Sequence, residues 1–441
     1  MGTDVTATAR TVVEMTRDGR FHEVEDLFGP KLRAAVSAGT LGVAWTTEQA
    51  KLGAVTGIGT PATEPGGAGL VRVIVPVTFE RGELSVLMAV DGDGMLQGLR
   101  IAPAEGGWAP PPYAAPKRFT EQDVIVGDGP LAVPGRPTVP GTLTLPRGRA
   151  PRPGIVLLAG GGPFDRDETS GPNKPLKDLA WGLATRGVAV LRFDKVTHVD
   201  SAAINEPGYT MTQEYVPHAV AAVRLLQQQP GVDPERVFVL GHSMGGKAAP
   251  RVAAAEPSVA GLVLLAADTN PMHRSAIRVA RYLAGVNPGP GTEDAVATLT
   301  EQAERVDSPD LSAATPAGDL PFSLPASFWL DEREYDPVPT AAAIGKPMLI
   351  LQGGRDYQVT VQDDLARWRE GLGHRADVTI RVHDADNHLF FRGTGTSTPA
   401  DYAPPQHVDP AVIADIAQWL APPRGGFSFR FRRFTGRSRW R

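Results

Sequence analysis

Apolar residues change their spacing along this chain, and each change marks a new kind of element. Between residues 5 and 40, Val12, Val13, Phe21, Val24, Leu27 and Leu32 recur at mixed three- and four-residue intervals, the spacing of a helical face. From Val71 the period drops to two, through Val73, Val75, Val77 and Phe79. Past the turn Glu80-Arg81-Gly82-Glu83 it continues in Leu84, Val86 and Met88. A second turn, Asp91-Gly92-Asp93-Gly94, leads into Met95 to Ile101. Helices followed by a three-stranded meander predict a small α+β domain over residues 1–101.

Residues 102–121 open with APAEGGWAPPPYAAPK, a Pro-, Ala- and Gly-rich linker. Beyond it the pattern becomes near-continuous aliphatic runs, each followed by a helical stretch. The runs are 154–159, 187–193, 236–240, 261–267, 347–352 and 378–382. Such runs suit strands covered by helices on both faces. Their alternation with helices predicts a mostly parallel sheet over 122–422, of the α/β class. Thr138 to Leu145 adds an antiparallel strand at the start. Residues 269–345 are too long for a crossover and carry helical patterns of their own, at Ala276 to Leu283 and Thr292 to Val306. They are expected to form a lid above the carboxyl edge of the sheet.

Composition narrows the chemistry. The chain has 441 residues, enough for two or three domains, and a net charge of −5, which gives no reason to expect nucleic acid. There is no cysteine, so disulfides, thiolate metal sites and a Cys nucleophile are excluded. No apolar signal region and no run of about 18 apolar residues occurs, so a cytoplasmic protein without a membrane span is the expectation. MGTDVT fits the loose myristoylation pattern at Gly2, which is short enough to arise by chance.

The sharpest motif is Gly241-His242-Ser243-Met244-Gly245, a Gly-x-Ser-x-Gly between a strand and a helical pattern. A strand that turns abruptly into a helix leaves no room for side chains at the two glycines, while the serine projects from the tip. A serine hydroxyl needs a base at neutral pH, and in this topology the acid and then the histidine follow in the chain. Asp356 follows the run 347–352, and His388 lies in the loop after the last strand. Asp268, at the end of the strand before the lid, is the alternative acid. His383, Asp384 and Asp386 are rivals that demand other geometries. The oxyanion of an acyl intermediate needs backbone donors. Met244 supplies one, and Gly161 in Ala159-Gly160-Gly161-Gly162-Pro163 supplies the other. That loop lacks the spacing of a phosphate-binding motif. The charges Asp165-Arg166-Asp167-Glu168 that follow read equally as a solvated cluster or as a polar rim that positions the loop.

At these residues a resemblance emerges. Residues 160–169 (GGPFDRDET after Gly160), 171–175 (GPNKP), 178–184 (DLAWGLA) and 190–195 (VLRFDK) resemble bacterial α/β-hydrolases of the EstD-type carboxylesterase and dienelactone-hydrolase-related group. The resemblance implies an α/β-hydrolase fold and acyl hydrolysis of a small-molecule ester, with no metal and no organic cofactor. In that group the glycine loop usually begins with histidine; here Ala159 stands there, which removes a common brace. Residues 1–105 resemble the NTF2-like α+β domain often fused before such hydrolases. Covering the active site or pairing subunits as a homodimer are the roles open to it.

Phe322, Phe328, Trp329 and Tyr335 in the lid suit either an apolar acyl pocket or packing of the lid onto the sheet. The tail 423–441 interleaves seven arginines with Phe427, Phe429, Phe431, Phe434 and Trp440 and reads as a disordered extension, with contact to anionic lipid or nucleic acid as the alternative. Three functions therefore remain open: an esterase, a peptidase or thioesterase on the same three residues, and a non-catalytic binding protein that kept the fold.

Overall fold

The computed structural model describes residues 4–65, 70–103, 108–148, 151–206, 208–286 and 292–421. Gly2 and the arginine-rich tail lie outside the described residues. In the N-terminal region α1 (Val5–Arg17), α2 (Phe21–Asp26), α3 (Pro30–Ala35) and α4 (Ala38–Leu52) precede β1 (Val55–Ile58), β2 (Ala62–Pro65), β3 (Val71–Phe79), β4 (Gly82–Val90) and β5 (Leu96–Pro103). The sheet is antiparallel and has five strands rather than three, because the short β1 and β2 both pair with β3. The period of two sorts its faces. Val73, Val75, Val77, Leu84, Val86 and Met88 are buried against Val12, Val13 and Trp45 of the helices. Arg72, Ile74, Leu87 and Arg100 lie on the opposite face, where Ile74 is registered with Leu87 and Leu87 with Arg100.

The second sheet has eight strands: β6 (Phe119–Val126), β7 (Val139–Pro146), β8 (Arg152–Leu158), β9 (Ala189–Phe193), β10 (Val232–His242), β11 (Leu262–Leu265), β12 (Met348–Gly353) and β13 (Val378–His383). Their order is β13-β12-β11-β10-β8-β9-β7-β6, parallel from β13 to β9, with β7 and β6 antiparallel at the edge. β6 begins at Phe119, inside the stretch read as linker. Trp108 of that stretch packs edge-on against Trp181, with ring centroids 4.9 Å apart. Residues 102–103 end β5, Trp108 and Phe119 pack against Trp181 of the second domain, and residues 104–107 lie outside the described residues.

Burial on both faces explains the aliphatic runs. Ile155 and Leu157 pack under α5 (Pro175–Thr185) and α14 (Pro410–Leu420). Val156 and Leu158 face α7 (Met211–Gln227) and α8 (Met244–Ala255). All four are at most 1% exposed, so each contributes on the order of 1.5–3 kcal/mol of transfer free energy. A short α6 (Val196–Val199) follows β9. Between β11 and β12 stand α9 (Met272–Val286), α10 (Thr292–Asp307), α11 (Ala326–Arg333) and α12 (Pro337–Ile344). The last packs on α8 and on α13 (Ala366–Leu372), which makes it the crossover helix of the sheet. The insertion thus ends near residue 336 rather than 345.

Candidate active site

β10 runs directly into α8, and Ser243 stands at the junction with φ 53° and ψ −122°. A left-handed conformation at a non-glycine residue costs about 1–3 kcal/mol and persists only where its surroundings enforce it. Here they do. A Cβ on Gly241 would lie 2.1 Å from Gly245 O, and one on Gly245 would lie 2.5 Å from Ala159 O. The turn is closed to side chains at both flanking glycines.

Asp356 follows β12 by three residues and is buried. One carboxylate oxygen accepts hydrogen bonds from the backbone N–H groups of Gln358 (2.8 Å) and Val359 (2.9 Å). The other accepts from Gln352 Nε2 (3.1 Å) and lies 2.7 Å from His388 Nδ1. With both oxygens anchored, the carboxylate fixes the imidazole from behind. His388 in turn contacts the residue before the serine: its carbonyl lies 2.9 Å from His242 Nε2, and the two rings are 4.7 Å apart. The structure thus brings Asp356 and His388 into direct contact, in the chain order that the topology demands.

The rivals fall elsewhere. Asp268 is buried against Lys247, 3.3 Å away on α8, and that lysine also pairs with Glu332 of α11. Burial raises the Asp268 pKa, while Lys247 opposes the rise. Asp268 is therefore occupied in joining the serine helix to the insertion. His383 faces Asp415, with Nε2 3.3 Å from the carboxylate. Asp384 is exposed. Asp386 is buried, and neither of its carboxylate oxygens has a hydrogen-bond partner among the described residues. Burial first, then the neighbouring Asp409, push its pKa up to about 7.

The glycine loop lies against the serine. A Cβ on Gly160 would stand 3.2 Å from Ser243 Cβ, and one on Gly161 would stand 3.1 Å from Met244 Cε. The loop is braced without the missing histidine. Gly160 N–H donates to Glu168 Oε1 (2.7 Å), and the same oxygen pairs with His242 Nδ1 (2.8 Å). Gly160 C=O accepts from Lys195 Nζ (2.8 Å) and Tyr215 Oη (2.7 Å). Glu214 neutralises Lys195 at 3.0 Å. Burial alone would lower the pKa of His242, but the Glu168 carboxylate carries it above its ordinary value. The four charges after the loop are all partnered, and Asp167 and Glu168 are buried. Asp165 bonds Thr169, Arg166 pairs with Asp194, Asp167 with Arg192 and Lys174, and Glu168 with His242. The sequence offered no sign of the His242–Glu168 pair beyond the charges themselves.

Between the loop and the insertion lies a cavity of about 160 Å³ lined by Gly162, Pro163, Met244, Met272, Leu324 and Phe328, among others. Phe328 lines it, stacked on Tyr209 at 6.1 Å. Trp329 is fully buried in the core, Tyr335 donates to Lys247 O (2.7 Å), and Phe322 points into solvent. Of the four insertion aromatics, Phe328 alone is among the residues that line this cavity.

A parallel sheet carrying a strained serine at its strand-to-helix turn, with a glycine loop against it, defines an α/β-hydrolase. The comparisons give the branch. Esterase EstD of Thermotoga maritima is 36% identical over 344 residues, spanning 78% of this chain and 77% of that protein. The chain belongs to the EstD esterase family. Residues 174–309 match the family model described as serine aminopeptidase, S33, and residues 9–99 match DUF3887, a family of unknown function. The helices-on-sheet layout of that N-terminal region agrees with the NTF2-like resemblance. Two solved structures are similar in fold. Est1E from Butyrivibrio proteoclasticus has a TM-score of 0.41 and 14% identity over 68% of this chain and 97% of that one. The esterase domain of a Rhodothermus marinus protein has a TM-score of 0.41 and 18% identity, with the same coverage. No helix among the described residues is long and apolar enough to cross a membrane.

Proposed function

We propose that this chain hydrolyses carboxylic esters through an acyl-enzyme on Ser243. His388 takes the proton from Ser243 Oγ as that oxygen attacks the ester carbonyl, and Asp356 holds the imidazole in the required tautomer. The tetrahedral oxyanion is received by the N–H groups of Met244 and Gly161. Met244 opens α8, whose first N–H groups lack partners within the helix and carry partial positive charge. His388 then returns the proton to the departing alcohol. A water activated by the same imidazole attacks the acyl carbonyl and frees Ser243.

The observation that carries the reading is the buried 2.7 Å contact between Asp356 and His388, beside a serine held at positive φ. A binding protein has no use for that combination. The cavity beside Met244 is small and mostly apolar, which favours short to medium acyl groups over bulky ones. The test is labelling with a fluorophosphonate probe together with turnover of p-nitrophenyl esters of graded chain length, beside Ser243→Ala. Labelling and turnover that vanish in the variant support the reading. An unlabelled, inactive protein sinks it, and cleavage of aminoacyl amides in preference to esters points to a peptidase instead.

A further inference from the structure

The glycine loop has a second side. On its outer flank the face of β3–β5 turned away from the helices meets the hydrolase domain, and α4 packs against the turn at 399–402. A cleft of about 460 Å³ lies between them. Arg72, Ile74, Leu87 and Arg100 form one wall; Pro163, Phe164, Lys174, Lys177 and His198 form the other, with Trp108 beside them.

Charge in this cleft is lopsided. Asp165 is the one carboxylate lining it among the described residues, and it is committed to the Thr169 N–H and hydroxyl, at 2.9 and 2.6 Å. Four side chains of fixed positive charge line it: Arg72, Arg100, Lys174 and Lys177. Lys174 is neutralised by Asp167 at 3.1 Å. Arg100 has no ion pair among the described residues, and Lys177 rests on the Trp108 ring, 4.3 Å from its centroid. Arg100 is exposed and Lys177 half-buried, the latter also under the influence of Asp167 and Glu121, so the cleft keeps a modest cationic surplus that draws in anions. The aromatic faces of Trp108 and Phe164 offer apolar contact beside that charge.

The cleft adjoins the apolar cavity beside Met244. Pro163 lines both the cleft and the apolar cavity at Met244. Its carbonyl is 3.0 Å from His198 Nδ1, which ties the cleft wall to the loop. We infer that the cleft receives an anionic group, a carboxylate or a phosphate, carried on the alcohol side of the ester, while the acyl group occupies the apolar cavity. The inference rests on the ester-hydrolase reading of Ser243. It also gives the N-terminal domain a role in substrate binding, because Arg100 supplies that domain's half of the leaving-group site.

The test compares three acetyl esters on the full chain: methyl 4-acetoxybenzoate, 4-acetoxybenzoate and 4-acetoxyphenyl phosphate. The expected result is a kcat/KM at least tenfold higher for one or both anionic esters than for the neutral one, expressed mainly in KM and shrinking as salt rises from 0.05 to 0.5 M. Which anion gains more separates carboxylate from phosphate. In Arg100→Gln and Lys177→Gln the ratio of anionic to neutral kcat/KM should fall toward one. A direct readout accompanies it: Ser243→Ala should bind 4-hydroxybenzoate more tightly than its methyl ester, with Arg100→Gln removing the difference. Equal kcat/KM for neutral and anionic esters, or a preference that survives both substitutions, overturns the inference while leaving the hydrolase reading intact. Failure to cleave any of the three, together with no fluorophosphonate labelling, would instead bring down the hydrolase reading itself.

Discussion

Replacing Glu168 by Gln isolates what braces the glycine loop. The carboxylate is buried and serves two partners with one oxygen, Gly160 N–H at 2.7 Å and His242 Nδ1 at 2.8 Å. Hydrogen bonds to a charged group are worth about 1.5–3 kcal/mol each, against about 1 kcal/mol for neutral ones. Glutamine keeps an acceptor for Gly160 but loses the charge that holds His242, so the net loss of stability should be about 2 kcal/mol. The kinetic cost follows from the proposed donor at Gly161, one residue along. Removing an oxyanion donor outright costs about 3–4 kcal/mol; loosening its support should cost roughly a third to a half of that, a fall of about 5–30-fold in kcat. KM should barely move, because the donor acts on charge that develops only in the transition state. The assay is p-nitrophenyl acetate turnover alongside thermal unfolding. A variant with lowered Tm but kcat within twofold of the parent would refute the link between Glu168 and the donor, and one unchanged in both would refute the bracing role altogether.

Further substitutions probe the rest of the site. Asp356→Asn should lower kcat by about 10⁴-fold by favouring the wrong imidazole tautomer, with little change in Tm. Asp268→Asn should instead cost about 2–3 kcal/mol of stability by uncovering Lys247 and leave kcat within a few-fold, so the reverse pattern would exchange the two roles. Asp386, with its pKa raised to about 7, favours the folded state below about pH 4, where both states are protonated. That advantage is lost as pH climbs toward and through 7. A shift of this size is worth at most about 4 kcal/mol, and screening near the loop surface leaves about half. Asp386→Asn should therefore raise Tm at pH 8 and not at pH 4; an equal effect at both values excludes the titration. Phe328→Ala should widen the cavity beside Met244 and move the optimum among p-nitrophenyl esters to longer acyl chains, at a cost of about 3–4 kcal/mol; an unmoved optimum would place the acyl group elsewhere.

The parallel sheet was legible because two-sided burial leaves no room for polar residues in Ile155 to Leu158 or Leu349 to Leu351. The elbow was legible because its glycines answer a steric demand that no other residue meets. Asp356 and His388 could be nominated as a pair for a related reason: strand ends are where such a sheet exposes its side chains. The edge strand β6 was hidden, since Thr120 to Asp123 is polar and exposed and pairs with β7 alone. The pair β1 and β2 was too short to show alternation. The charges at 165–168 could not be resolved from sequence, because a carboxylate turned inward onto His242 and one turned to water are the same letter. What separates them is a partner 74 residues away.

The Gly160 peptide has one further consequence. Glu168 holds its N–H end, and Lys195 and Tyr215 hold its carbonyl end, so both sides of the residue are fixed by three different segments. Turning the Gly160–Gly161 peptide, which carries the Gly161 N–H, would break the Lys195 and Tyr215 contacts together. An enzyme whose loop carried a free amide could idle in a flipped, inactive form and wait for a ligand to right it. This chain has closed off that route. With Gly160 held on both sides, access to Ser243 is the step left for control of the proposed activity.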